Sequence, residues 1–298
     1  MSSNDGDKAV ATDYRDPLYG RGVLLVLSAG VLWSLTGLFI RHIEAAGPWQ
    51  IVFMRSGSLG ALILLYLIFR YRGRTLDQFW RMGWNGMLAA LFFGGAICGT
   101  IFSMTETTVA NAMFILAGAP FAAAGFAWLI VGERVSFAMV VALLITVAGI
   151  GIMVGDGISA GFLLGNLLAV MTMLFYALFV VFLRRGRTRD MLPALCLGGF
   201  VAAGVGAILA EGFAVTGHDV LLSCVMGAGL SGAGLILFTA GSRHLLAAEL
   251  IFFALIEIVL APVWVWVGLG EVPRDLTLAG GGVVLAAIVI QALFGRQR

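Results

Sequence analysis

The sequence predicts an all-α integral membrane protein of ten transmembrane helices in two inverted five-helix repeats, and three observations carry that prediction. Apolar and aromatic residues fill 61% of the 298 positions and charged residues only 11%, less than half of the about 25% typical of soluble domains. At a mean hydropathy of +1.03 over the whole chain, the apolar residues are too many for one core, so the solvent must be largely lipid. Basic residues collect in alternate breaks between the apolar stretches, and one of those breaks recurs in the second half of the chain.

A hydrocarbon core of roughly 30 Å needs about 20 apolar residues per helical span. Ten such stretches run 22–40, 49–69, 84–103, 108–131, 137–155, 161–183, 192–213, 220–241, 246–269 and 276–294. Before the first lies a polar segment with Asp5, Asp7, Asp13 and Asp16 against Lys8 and Arg15. It lacks the basic start of a cleavable signal and reads as a cytoplasmic tail. The first span puts Trp33, Thr36 and Gly37 on one face. Arg55 stands about six residues into the second, within snorkelling reach of its end, with Glu44 or Glu106 as candidate partners. Gly95 and Gly99 in the third span, and Ala228 and Gly232 in the eighth, allow close helix approach. The fourth span aligns Asn111, Phe114 and Gly118, and the sixth Asn166, Met173 and Tyr176. Pro120 and Pro262 fall inside the fourth and ninth spans, where a proline frees carbonyls and bends the helix.

With the N-terminus inside, fifteen of the eighteen basic residues fall on the cytoplasmic side, leaving Arg41 and Arg274 opposite and Arg55 within a span. Cytoplasmic loops carry such an excess, so both termini are expected in the cytoplasm. Val131-Gly132-Glu133-Arg134 returns as Leu269-Gly270-Glu271-Val272, and the same shift of 138 residues lays Ala110-Asn111-Ala112 on Ala248-Glu249-Leu250. Five spans per copy is an odd number, so the second copy enters the membrane from the opposite side. The expected division is a tail over 1–20, a first repeat over 21–156 and a second over 157–298.

Several functions are disfavoured at this point. A net charge of +2 in scattered basic clusters offers no stripe for nucleic acid. Cys98, Cys196 and Cys224 are odd in number, distant and set in apolar runs, which suits neither a disulfide framework nor a metal site. No metal or cofactor is expected. Gly227-Ala228-Gly229-Leu230-Ser231-Gly232 matches GxGxxG, with Glu249 about twenty residues on, but the strand–turn–helix setting of a dinucleotide site is absent. His42, His218 and His244 sit in breaks or at span ends, and Glu133 and Glu271 read as helix-end caps. A polytopic membrane enzyme would need paired catalytic groups at one depth. A channel would need a ring of charges or a filter-like loop, and a sensor would need a soluble domain.

Ionisable groups inside a bilayer are costly unless paired or facing water, which singles out Glu257, Glu249 and Arg55. Glu257 near the centre of the ninth span reads as a ligand for a substrate amine or carrier of a coupled proton, or else as a hydrogen-bonding group near the Pro262 kink. Glu249 is expected to pair with Arg243 or His244. For Arg55 the leading reading is structural anchoring, with capture of a substrate carboxylate as the alternative.

The chain resembles the drug/metabolite transporter superfamily, in its ten-span branch of two tandem EamA-type repeats. The resemblance rests on Trp33, Arg55, the run from Ala110-Asn111-Ala112 through Ala119-Pro120 to Gly132-Glu133-Arg134, and the run from Ala247-Ala248-Glu249 through Glu257 to Gly270-Glu271. One departure is that Ile258, not proline, follows Glu257, and the proline comes at Pro262. Within that superfamily the chain looks most like bacterial exporters of aromatic amino acids and related metabolites. The resemblance implies a multi-pass protein of the bacterial cytoplasmic (inner) membrane that moves a small molecule by alternating access, with other metabolites or drugs as the alternative cargo. Sites in inverted-repeat folds lie near the midplane between the copies. A cavity faced by Trp33, Asn111, Tyr176, Phe238 and Glu257, with Arg55 as a substrate or structural charge, suits a zwitterionic amino acid with an apolar side chain. The partners expected are such a substrate, the lipid bilayer and, as candidate coupling ion, a proton.

Overall fold

In the computed structural model of the chain, residues 19–132, 137–186, 188–242, 244–245 and 247–294 are described, the side chains at 138, 159, 247–252, 254–255 and 291–294 excepted. The tail over 1–18, Glu133 and Arg134, and the pairings expected of Glu249 with Arg243 or His244 lie outside the described residues. Every regular element described is helical.

The helices follow the apolar stretches closely, because a segment in lipid must satisfy its backbone internally. In order they are α1 (Tyr19–Ser34), α2 (Thr36–Arg41), α3 (Pro48–Tyr71), α4 (Thr75–Arg81), α5 (Gly83–Glu106), α6 (Val109–Leu116), α7 (Ala119–Val131), α8 (Phe137–Ala160), α9 (Leu163–Arg185), α10 (Leu192–Leu209), α11 (Gly217–Cys224), a π-helical segment (Val225–Ala233), α12 (Gly234–Ser242), α13 (Ala247–Leu269) and α14 (Asp275–Phe294). Eight stretches are long and apolar enough to cross a membrane: Tyr19–Arg41, Pro48–Arg81, Gly83–Glu106, Val109–Val131, Met139–Ile158, Leu163–Arg185, Leu192–Leu209 and Gly217–Ser242. The last two expected spans are represented by the shorter apolar stretches Ile256–Leu269 and Asp275–Ile290.

Local chemistry sets several of the boundaries. Thr108 caps α6 by accepting from Asn111 N at 3.2 Å, and Thr216 caps α11 by accepting from Asp219 N at 3.1 Å, each satisfying a donor that the first turn leaves free. Pro120 does more than bend its span. The helix stops at Leu116 and restarts at Ala119 with proline in the first turn, where its missing N–H costs nothing. Pro262, by contrast, stays within the continuous α13.

The helices pack as α3 with α10 and the π segment, α5 with α9 and α10, α1 with α12 and α13, α9 with α6 and α7, and α8 with α14. Glycine makes one of these approaches possible: a Cβ on Gly99 of α5 would stand 2.2 Å from Thr172 Oγ1 of α9. Phe69, Trp80, Phe137 and Ile208 are each more than four-fifths exposed, as lipid-facing side chains are and as a soluble surface would rarely tolerate. The protein is therefore a multi-pass integral membrane protein.

The two ends of the bundle differ in chemistry. At the end where α2 finishes, Arg41 Nε donates to Glu271 Oε2 at 2.8 Å, Nη1 to Met104 O at 2.8 Å and Nη2 to Thr107 O at 2.9 Å. Glu271 Oε1 accepts from Val109 N at 2.9 Å, so this glutamate caps α6, as expected of a helix-end residue. At the same end Asp156 holds Arg274 through two bonds of 2.8 and 3.0 Å, and the buried Asp219 accepts from the backbone N–H groups of Glu44, Ala45 and Ala46. At the end where α1 begins, Tyr71 Oη donates to Asp190 and Arg189 Nη1 to Arg81 O at 2.7 Å.

Candidate functional site

Trp33 lies near the end of α1, half-buried, with its ring 5.5 Å from that of Phe238 on α12 and tilted by 39°. Its Nε1 donates to the carbonyl of Ser231 at 3.3 Å. Ser231 belongs to the π-helical segment, whose wider turn departs from the regular i→i−4 ladder and often marks a functional site. Arg55 of α3 reaches the same residue from another side, donating from Nη2 to Ser231 Oγ at 3.3 Å. A Cβ on Gly227 would stand 2.0 Å from Arg55 O, and one on Gly234 2.2 Å from Trp33 Nε1. Only glycine at these two positions lets the segment lie this close to α3 and α1.

Arg55 interacts through space with Glu257 of α13, and Glu257 also acts on Tyr176 of α9. Arg55 and Glu257 do not approach within the 4.0 Å of an ion pair, and Arg55 pairs with neither Glu44 nor Glu106 among the described residues. The Tyr176 side chain is 40% exposed and Glu257 is half-buried. Trp264 Nε1 donates to Ser34 Oγ at 2.8 Å, tying α13 to α1. The group thus combines the Trp33–Phe238 ring pair with two ionisable side chains, Arg55 and Glu257, on neighbouring helices.

Asn111 stands apart from this group. It is 1% exposed and its amide is fully engaged: Nδ2 donates to Thr107 Oγ1 at 3.2 Å and to Asn166 Oδ1 at 3.1 Å, while Oδ1 accepts from Thr277 Oγ1 at 2.6 Å. Thr107 Oγ1 donates to Asn166 Oδ1 at 2.8 Å and Asn166 Nδ2 to Met153 O at 3.1 Å, closing the network. A saturated buried network of this kind rigidifies the interior. Here it joins α6, α8, α9 and α14, and no donor of Asn111 is left over for a ligand.

A cavity of about 360 Å³ runs between α1, α3 and α12, from Gly232, next to Ser231, to Arg21, Arg70 and His244 near the end where α1 begins. Leu25, Leu62, Ile63, Leu235 and Ile236 give it mostly apolar walls. Its mouth is basic, and Arg70 is steadied there by a 3.2 Å bond to Tyr66 Oη. The volume falls within the range of small-molecule sites.

Sequence reasoning gathered Trp33, Phe238, Tyr176, Glu257 and Arg55 and missed Ser231, on which two of them converge. The signal was present in the glycine-rich run 227–232, which reads as a chance dinucleotide motif unless its place inside a span is considered. Among the described residues no cluster of His, Cys, Asp or Glu could hold a metal ion.

Residues 20–155 match the EamA-like transporter family. Over 277 residues the chain is 26% identical to the pseudopaline exporter CntI of Pseudomonas aeruginosa, as found in two strains, with 90% of this chain and 94% of that protein covered. One solved crystal structure is similar at a TM-score of 0.65 and 18% identity, covering 94% of this chain and 100% of the other. That likeness concerns the fold alone.

Proposed function

We propose that the protein is a secondary transporter that exports small zwitterionic metabolites, first among them amino acids with aromatic or other apolar side chains, by alternating access across the bacterial inner membrane. The observation that carries this reading is the convergence of Arg55 and the Trp33–Phe238 ring pair on Ser231 inside the bundle, with the carboxyl of Glu257 within electrostatic reach of Arg55. An apolar side chain would lie on the aromatic faces and the charged ends on the two ionised groups. The packing supports a ten-span, two-repeat reading: exchanging span n with span n+5 turns the α5–α9 pair into α12–α1, α10–α5 into α3 with the π segment, and leaves α3–α10 and α8–α14 as they are.

The excess of basic residues at the end where α1 begins supports a cytoplasmic cavity mouth. In that orientation the described arrangement is open inward and tied outward, by Arg41, Glu271 and Val109. Export then requires the outward ties to part while the inner cavity closes around the solute. Glu257 is the candidate carrier of a coupled proton.

The test is counterflow in proteoliposomes holding the purified full chain, with labelled tryptophan and phenylalanine and a panel of other amino acids. Uptake well above empty vesicles is expected, and none across the panel would reject the substrate class. Glu257→Gln is expected to flatten the pH dependence of transport; an unchanged profile would remove the proton role. The similarity to a pseudopaline exporter favours a second reading, in which pseudopaline itself is the cargo. Including it in the panel decides between the two.

A further inference from the structure

A guanidinium has five N–H donors and no acceptor, so an arginine inside a bilayer is expected to spend its donors on fixed partners. Other arginines of this protein do so. Arg41 uses Nε, Nη1 and Nη2 on three separate acceptors, and Arg274 uses Nε and Nη2 on the two oxygens of Asp156. Arg55 differs. It makes one hydrogen bond, from Nη2 to Ser231 at 3.3 Å, while Nε and Nη1, both enclosed by protein, find no acceptor among the described residues.

Resting on the transport reading above, we infer that Arg55 binds the carboxylate of the transported solute, which makes amino carboxylates the substrate class, with the solute's ammonium group turned toward Glu257. Carboxylate is the acceptor whose two oxygens match a guanidinium fork. Its binding would engage the donors that Arg55 keeps unused. Glu257 lies beyond ion-pair distance from Arg55 but within electrostatic reach, so the carboxyl does not take up the donors that Arg55 leaves unused. A plain amine would leave Arg55 unanswered and a plain acid would leave Glu257 unanswered. Only a molecule carrying both charges satisfies both residues without bringing net charge into the membrane interior.

The surroundings are consistent with a binding arginine and less so with an anchor. Ser231 presents only its hydroxyl to one terminal nitrogen, which steers the guanidinium without neutralising it. The cavity that Arg21 and Arg70 line also touches Gly232 of the π segment. Fifteen residues of helix separate Arg70 from Arg55, about 22 Å at 1.5 Å per residue, and the cations lining that cavity would draw an acidic group toward α3.

The test uses three probes sharing one ring: tryptophan, indole-3-propionate and tryptamine. Binding to the purified full chain in detergent is measured by titration of its thermal stability. Tryptophan is expected to bind at least tenfold tighter than tryptamine, with indole-3-propionate in between. Arg55→Gln is expected to bring the three within about twofold of one another, and Arg55→Lys to retain part of the preference. A purely structural arginine would weaken all three alike. The wild-type ranking needs no variant, so a misfolded Arg55→Gln does not hide the answer. Tryptamine binding as tightly as tryptophan, an undiminished carboxylate preference in Arg55→Gln, or no binding by either carboxylate would overturn the assignment. Counterflow separates the two readings. Arg55-dependent binding without counterflow defeats transport and leaves the carboxylate site, whereas counterflow without carboxylate preference does the reverse.

Discussion

Replacing Glu271 by alanine removes two interactions at once on the face opposite the cavity mouth. One is the charge-assisted bond from Arg41 Nε at 2.8 Å and the other the cap on Val109 N at 2.9 Å. The pair is about three-quarters buried, with side-chain exposures of 25% and 23%, so solvent screening is partial. The charged bond contributes roughly 1–1.5 kcal/mol at that exposure and the cap about 1 kcal/mol. Arg41 keeps the carbonyls of Met104 and Thr107, so no cation is stranded and no further penalty accrues. A loss of about 2 kcal/mol in the tied state raises the ratio of untied to tied molecules about thirtyfold. Glu271→Gln keeps an oxygen for Val109 N and gives up only the charge, which costs about 1 kcal/mol, or about fivefold. The reporter is a single cysteine at Ala112, which is buried in α6, a helix packed against α13, in a chain whose three native cysteines are replaced. Its labelling rate by a membrane-impermeant thiol reagent should rise in the order wild type, Glu271→Gln, Glu271→Ala. Equal rates in all three, in protein that still elutes as a single species, would refute the idea that this tie holds one face shut.

Two further outcomes follow from buried contacts. Asp156 is 3% exposed and Arg274 48%, so Arg274→Gln deprives an enclosed carboxylate of its guanidinium and costs about 2–3 kcal/mol, whereas Asp156→Asn frees an arginine that already reaches solvent and costs about 1 kcal/mol; the apparent melting temperature in detergent should fall further for the former. Gly227→Ala puts a methyl group 2.0 Å from Arg55 O and 2.1 Å from Ser58 Oγ, an overpacking of about 3 kcal/mol or more, and should abolish transport, while Gly204→Ala, with nothing within 4 Å, should leave transport and melting unchanged.

The spans were legible because lipid demands continuous apolar segments, and the helix ends mostly fall within a few residues of the polar breaks. Interruptions were less so. Pro120 was visible, but not that Ala117 and Gly118 would leave the helix, since that depends on the approach of Met173 and Thr146 to Gly118. The acids near Arg55 in sequence suggested its partners, yet the residues that meet it come from 176 and 202 positions away. Polar residues at helical spacing cannot say whether they face a cavity or one another. Tyr176 stays 40% exposed, while Asn111 and Asn166 consume each other's hydrogen-bonding capacity.

The widened turns between Val225 and Ala233 leave a mark on any scan along that span. Each residue of an α-helix advances the azimuth by about 100°, and a π segment advances it by less. The wheel drawn for Gly217–Cys224 is therefore out of phase with the one for Gly234–Ser242. Positions eleven apart that straddle the segment, such as Cys224 and Leu235, do not share a stripe, and a labelling pattern measured on one side will slip when extrapolated to the other.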